Sequence, residues 1–138
     1  MIPVAHASPL QDVGLLAFKQ RLMSVDWQLK IDGKPLDFCR DRYVFESEDR
    51  MLILSGEERI AAKWRVFPVP GTELIGLAQT YTVSNRKPDC QGQITEIGGP
   101  DHIRYYKDLG NGDLQVCWRE SEDSCFGVIQ PLQPEVGV

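Results

Sequence analysis

The chain opens with one stretch of helical periodicity and then changes period. In PLQDVGLLAFKQRLM, residues 9–23, Leu15, Phe18 and Leu22 fall on one face at spacings of three and four. Lys19 and Arg21 suit the C-terminal end of a helix, although Gly14 weakens its middle. Ser8-Pro9-Leu10-Gln11 reads as the helix start, with Ser8 as N-cap, Pro9 at the first helical position and Gln11 completing a capping box. From residue 25 onward the apolar positions recur every second residue, the period of a half-buried strand. Val25, Trp27, Leu29 and Ile31 alternate with Asp26, Gln28 and Lys30, and the turn DGKP follows. RYVFE and RMLILS flank the polar turn SED. In RIAAKWRVF, Ile60, Ala62, Trp64 and Val66 share a face, and in ELIGLAQTYTV so do Ile75, Leu77, Tyr81 and Val83. A polar loop, SNRKPDCQG, spans residues 84–92. QITEI, HIRYY, DLQVCW and CFGVI complete the strands. The pattern predicts a mainly β protein of about eight or nine short antiparallel strands behind one helix, hence a barrel or sandwich rather than βαβ units.

Two hairpins can be set in register. Asn111-Gly112 is a two-residue turn signal that places Leu109 opposite Leu114, Lys107 opposite Val116 and Tyr105 opposite Trp118. Lys107 is the misfit on this largely apolar face, to be explained by a barrel mouth or by snorkelling. Around CWRESEDSC, facing Cys117 with Cys125 brings Val116 opposite Phe126, Leu114 opposite Val128 and Arg119 opposite Asp123, with Glu120-Ser121-Glu122 as the turn. Apolar, ionic and sulfur partners are then satisfied together, which predicts a cross-strand disulfide on the face opposite Trp118 and Phe126, outside the core.

The remaining cysteines, Cys39 and Cys90, are expected to pair and so to tether the long polar loop. Closing a loop of about 50 residues removes roughly 4 kcal/mol of unfolded-chain freedom on the chain-entropy model. The positions 39, 90, 117 and 125 lack the close pairing of zinc knuckles and contain no redox CxxC. Four cysteines, an even number, suit an oxidising compartment; reduced core thiols are the alternative. Ala5-His6-Ala7 is a small-x-small triplet like those cut by signal peptidase, although the four residues before it are too few for a charged and an apolar leader segment. Residues 1–7 are therefore read as the remnant of a secretion signal, 8–131 as one domain and 132–138 as a flexible tail, in a periplasmic or secreted protein.

The chain has 138 residues, 42% hydrophobic and 25% charged, enough for a single domain with its own core. No apolar run reaches the length of a membrane-spanning helix. The net charge of −5 disfavours binding to a phosphate backbone. Catalytic signals are sparse. Asp101-His102 is at most half of a relay, and a solvated turn histidine explains it as well. No G-x-S-x-G, P-loop, HExxH or GxGxxG is present. DLGNGD has glycines, Gly110 and Gly112, where a calcium loop needs oxygen ligands. No catalytic residue, metal or cofactor is assigned, and the protein is expected not to be an enzyme.

An N-terminal helical segment, Val25-Asp26-Trp27 in the first strand, and consecutive meander strands over residues 25–130 together resemble a small bacterial lipocalin-like (calycin-type) β-barrel protein. Lipocalins show Gly-x-Trp at this place, and Val25 stands in for the glycine here. The resemblance implies an up-and-down barrel with an apolar cavity. Candidate lining residues are Trp27, Trp64, Val66, Tyr81, Tyr105, Trp118 and Phe126, which would bind a small apolar ligand; the alternative is that they fill a solid core. A second function class is an inhibitor or immunity-type module that presents acidic loops to a basic protein partner.

Overall fold

The computed structural model describes residues 9–31 and 40–132. Helix α1 spans Pro9–Ser24, one residue beyond the predicted end. It turns Phe18 and Leu22 into the interior and leaves Leu16 outside, as the 3–4 spacing requires. The orphan carbonyl of Leu22 in its last turn accepts a hydrogen bond from the indole Nε1–H of Trp27 at 3.0 Å. The proposed N-cap Ser8, the leader remnant 1–7 and the tail beyond Leu132 lie outside the described residues.

Eight strands follow: β1 Trp27–Lys30, β2 Asp41–Phe45, β3 Arg50–Ser55, β4 Glu58–Pro68, β5 Ile75–Ser84, β6 His102–Asp108, β7 Leu114–Cys117 and β8 Cys125–Pro131. Each pairs antiparallel with the next, and β1 closes on β8 through Trp27↔Pro131 and Leu29↔Ile129. The result is a closed up-and-down barrel, compatible with a lipocalin-like fold. The stretch QITEI, expected as a strand, is irregular. Its Ile94 and Ile97 are exposed, so no buried face holds it in a sheet.

The inward residues of one end form the core. Trp27, Met51, Ile60, Leu77, Leu114 and Ile129 are all but fully buried, together with Leu22 of the helix. Phe45 packs edge-on against Trp64, with ring centroids 4.8 Å apart. Helix α1 covers this end: Phe18 meets Tyr106 and Arg21 pairs with Asp108 at 2.7 Å. The Trp64 indole donates to the Ser47 carbonyl at 3.0 Å, so both core tryptophans are satisfied.

Two predicted registers change by one residue, and each change reverses faces. Around Asn111-Gly112 the pairs are Tyr105↔Cys117, Tyr106↔Val116, Lys107↔Gln115 and Asp108↔Leu114. The loop is longer by one residue than a two-residue turn, because Gly110 and Gly112 both adopt positive φ. Asp108 and Asn111 side chains accept the amides of Gly110 and Asp113. Lys107 thereby points outward and bonds Glu122 at 3.0 Å and Glu73 at 3.5 Å, which removes the misfit. Tyr105 also turns outward, and Tyr106 takes its place inside.

In the last hairpin Cys117 does face Cys125, with the two sulfurs at disulfide distance. A bulge between Val116 and Cys117 then shifts the register, so Val116 pairs Gly127 and Leu114 pairs Ile129. The expected pairs with Phe126 and Val128 are not made. The bulge puts Leu114 and Ile129, both buried, on the same interior face. The predicted Arg119–Asp123 ion pair is also replaced. Asp123 accepts from the Ser121 hydroxyl, and Ser124 Oγ takes the Arg119 amide at 3.0 Å within a 3-10 turn, Glu122–Ser124. A second bulge in β5, at Thr82, pairs Ala61 with Val83 and Ala62 with Tyr81. Val83, expected on the face of Leu77 and Tyr81, is consequently 61% exposed.

The disulfide lies outside the barrel interior, as expected, yet Cys117 is buried. Val69 and Leu74 of the loop between β4 and β5 cover it, beside Tyr105, Phe67 and Ile103. This small outer core needs Gly76, since any Cβ there would strike the Phe67 ring. The expected Cys39–Cys90 link falls on Cys39, which lies outside the described residues.

Candidate functional site

Among the described residues, the end of the barrel remote from α1 is open. Here the strands carry polar residues in phase with their apolar inward positions. Asp41 and Tyr43 precede Phe45 on β2, Ser55 follows Met51 and Ile53 on β3, and Gln79 and Tyr81 follow Leu77 on β5. Arg104 precedes Tyr106 on β6. Together with Glu58 of β4 they line a cavity of about 300 Å³ whose apolar side is Leu29, Ile31, Ile53, Val116 and Phe126. That is the lower end of the range for small-molecule sites.

The long loop 85–101 lies over this mouth and contributes Asp89, Gln91 and Thr95 to the lining. Its start is fixed by Asn85, whose side chain accepts the Arg59 amide at 3.0 Å and donates to the Glu57 carbonyl at 2.9 Å. Farther along, the Cys90 amide donates to Ser55 Oγ at 3.1 Å. Asp89 Oδ1 accepts the amides of Gln91 and Gln93 and so shapes the loop from within.

Three tyrosine hydroxyls reach this region. Burial pushes the phenols of Tyr43, Tyr106 and Tyr81 up from their ordinary value, so at neutral pH each is a neutral hydrogen-bond donor. Among the described residues none of the three hydroxyls is engaged in a protein hydrogen bond. The Arg104 guanidinium lies 4.2 Å from the centroid of the Trp118 ring, and Trp118 stacks on Phe126 at 4.1 Å. Arg104 donates to the Ile103 carbonyl at 2.8 Å; among the described residues it has no carboxylate partner. Tyr81 stacks on His102 with centroids 4.0 Å apart. Burial first, then the Arg104 charge, hold the His102 imidazole below its usual pKa, against the pull of Asp101.

The acidic groups are not equivalent. Asp41 accepts a hydrogen bond from Ser55 Oγ. Its carboxyl is raised by burial and by the Asp89 charge, opposed by that hydrogen bond. Glu58 is only 3% exposed, and its Oε2 has no hydrogen-bond partner. Gln79 spends its amide on Met51 Sδ at 3.4 Å.

Of the seven residues proposed from sequence to line a cavity, Tyr81, Trp118 and Phe126 do so. Trp27 and Trp64 are buried in the closed-end core with Val66 packed against them, and Tyr105 faces outward. Sequence reading missed Arg104, Glu58, Asp41, Tyr43, Gln79 and Tyr106. For Asp41, Tyr43, Glu58 and Gln79 a signal was available, polar residues that keep the phase of an apolar face toward one end of a strand; Arg104 and Tyr106 were hidden by the register that turned Tyr105 inward. No protein-family model matches the chain, and no curated protein or solved structure matches it.

Proposed function

We propose that this protein is a non-enzymatic, exported binding protein that holds a small ligand in the open mouth of its barrel. The observation that carries the reading is the cavity itself. It joins an apolar wall to phenol donors and to charged groups that have no ionic partner among the described residues, on a closed sheet. Buried polar groups without partners are rare in a purely structural interior, and convergent polar groups in a preformed pocket are the usual composition of a ligand site. The cavity is thus more polar than the one expected from sequence. The lipocalin-like architecture agrees with carriage of a small molecule, as a fold-level analogy only. Export is supported by the Cys117–Cys125 pair, a feature favoured by oxidising compartments. No helix among the described residues is long and apolar enough to cross a membrane.

Trp118 sits at the mouth and is 52% exposed, while Trp27 and Trp64 lie deep in the core. Ligand entry should therefore change the fluorescence of Trp118 selectively. Protein purified from its native source should release a stoichiometric small molecule when denatured for mass spectrometry. Titration back into stripped protein should alter the emission, and Trp118→Phe should remove the response. Stripped protein that binds none of the small molecules from its native extract would end the carrier reading.

A further inference from the structure

We infer that the mouth cavity selects a small zwitterion, a molecule with an ammonium and a carboxylate on a short apolar body, the chemical class of free amino acids. The inference rests on the binding reading above and adds the ligand's charge pattern. Three carboxyl groups and one guanidinium belong to the lining: Asp41, Glu58, Asp89 and Arg104. Two of the carboxylates already have partners, since Asp41 is bound by Ser55 and Asp89 by the amides of its own loop. Among the described residues Glu58 and Arg104 are left over, one an acid and one a base. Glu58 is almost wholly buried with an unpartnered oxygen, and Arg104 faces an aromatic ring instead of an acid. They do not neutralise each other, because no ion pair joins them.

Each ligand class leaves a different remainder. An anion alone would satisfy Arg104 and bring a second negative charge toward Glu58. A cation alone would do the reverse. A neutral apolar molecule would displace water from both and return no hydrogen bond to either. A zwitterion answers both, and the apolar wall of Leu29, Ile31, Ile53, Val116 and Phe126 receives its body. Tyr81 lines the same cavity; burial raises its pKa, with Arg104 opposing and Glu58 adding to the rise, so a neutral hydroxyl is available beside the charged groups. The size also fits. A cavity near 300 Å³ holds about ten water-sized volumes at roughly 30 Å³ each, the scale of one amino acid and too small for a long lipid chain.

The test is calorimetry on stripped protein with the standard free amino acids, followed by the N-acetyl and methyl-ester derivatives of the best binder, and 1-hexanol as a neutral apolar probe. The expected result is binding of one or more apolar amino acids, with each derivative weaker by at least about tenfold, the loss typical of one charge-assisted hydrogen bond. Glu58→Gln should erase the difference between the free and acetylated forms. Arg104→Met should erase the difference between the free and esterified forms. The derivative series on the unaltered protein stands without the variants, should either fail to fold. Equal affinity for the free and blocked forms would overturn the zwitterion assignment, as would binding of 1-hexanol without binding of any amino acid; in both cases the carrier reading would survive. Absence of binding by every amino acid and by 1-hexanol overturns the zwitterion assignment, and the native-extract measurement then decides the carrier reading separately.

Discussion

The two ends of the barrel are built from the same eight strands and spend their inward side chains differently. At the closed end, α1 supplies Phe18 and Leu22 to a ring of Trp27, Phe45, Met51, Leu77, Leu114 and Ile129, and both indole N–H groups there are bonded to carbonyls. At the open end the inward positions belong to Asp41, Ser55, Glu58, Gln79, Tyr81 and Arg104, and the buried Glu58 Oε2 has no hydrogen-bond partner among the described residues. The closed end has the composition of a packed core, where apolar burial supplies stability. The mouth, the site proposed above, holds desolvated polar groups that reduce stability where they lack partners. A barrel permits this division because every strand pairs with a neighbour on each side, while its inward side chains are free to differ from one end to the other.

The largest test of the contrast is Trp27→Ala. Trp27 is fully buried and seals the joint between helix and barrel, so the substitution should cost about 3–5 kcal/mol in denaturant unfolding. A loss below about 1 kcal/mol would mean that the closed end is not the stabilising half. Replacing both Cys117 and Cys125 by Ala should cost about 2–3 kcal/mol, from the freedom returned to the unfolded chain and from the emptied outer core under Val69 and Leu74. The midpoint should fall while the cavity still binds, because the sulfurs face away from the interior. At the mouth, Trp118→Ala removes an aromatic that is already half exposed. Stability should change by about 0.5 kcal/mol or less, while the fluorescence response to ligand disappears. A stability loss comparable to that of Trp27→Ala would erase the distinction between the two ends.

The smallest expected effect is a pH dependence. The folded protein disfavours the protonated form of His102, by burial and by Arg104, with Asp101 opposing. The unfolded chain then binds the proton more readily, so stability rises with pH through this titration. The contribution is complete above about pH 6.5, the ordinary histidine pKa, and is lost as pH falls below it. His102→Asn should flatten the slope of thermal stability in that range, and an unchanged slope would assign it to other groups.

Period and turn chemistry, both local, were enough to find α1 and its buried face, the eight strands, the inward residues Ile60, Ala62 and Trp64 of β4, and Cys117 facing Cys125. These properties depend on neighbours within a few residues, and the sequence states them directly. What the tertiary structure decided turns on single residues. One extra residue in the loop around Asn111 exchanged Tyr105 for Tyr106, the bulge at Thr82 sent Val83 outside, and the bulge beside Cys117 paired Leu114 with Ile129. A bulge or a longer turn carries almost no signal in the local pattern, yet it reverses every side chain beyond it. The same holds for the mouth. Glu58, Arg104 and Asp41 are separated along the chain, and each reads as an ordinary polar strand residue. Only closure of β1 on β8 curls the sheet so that their inward faces converge on one cavity.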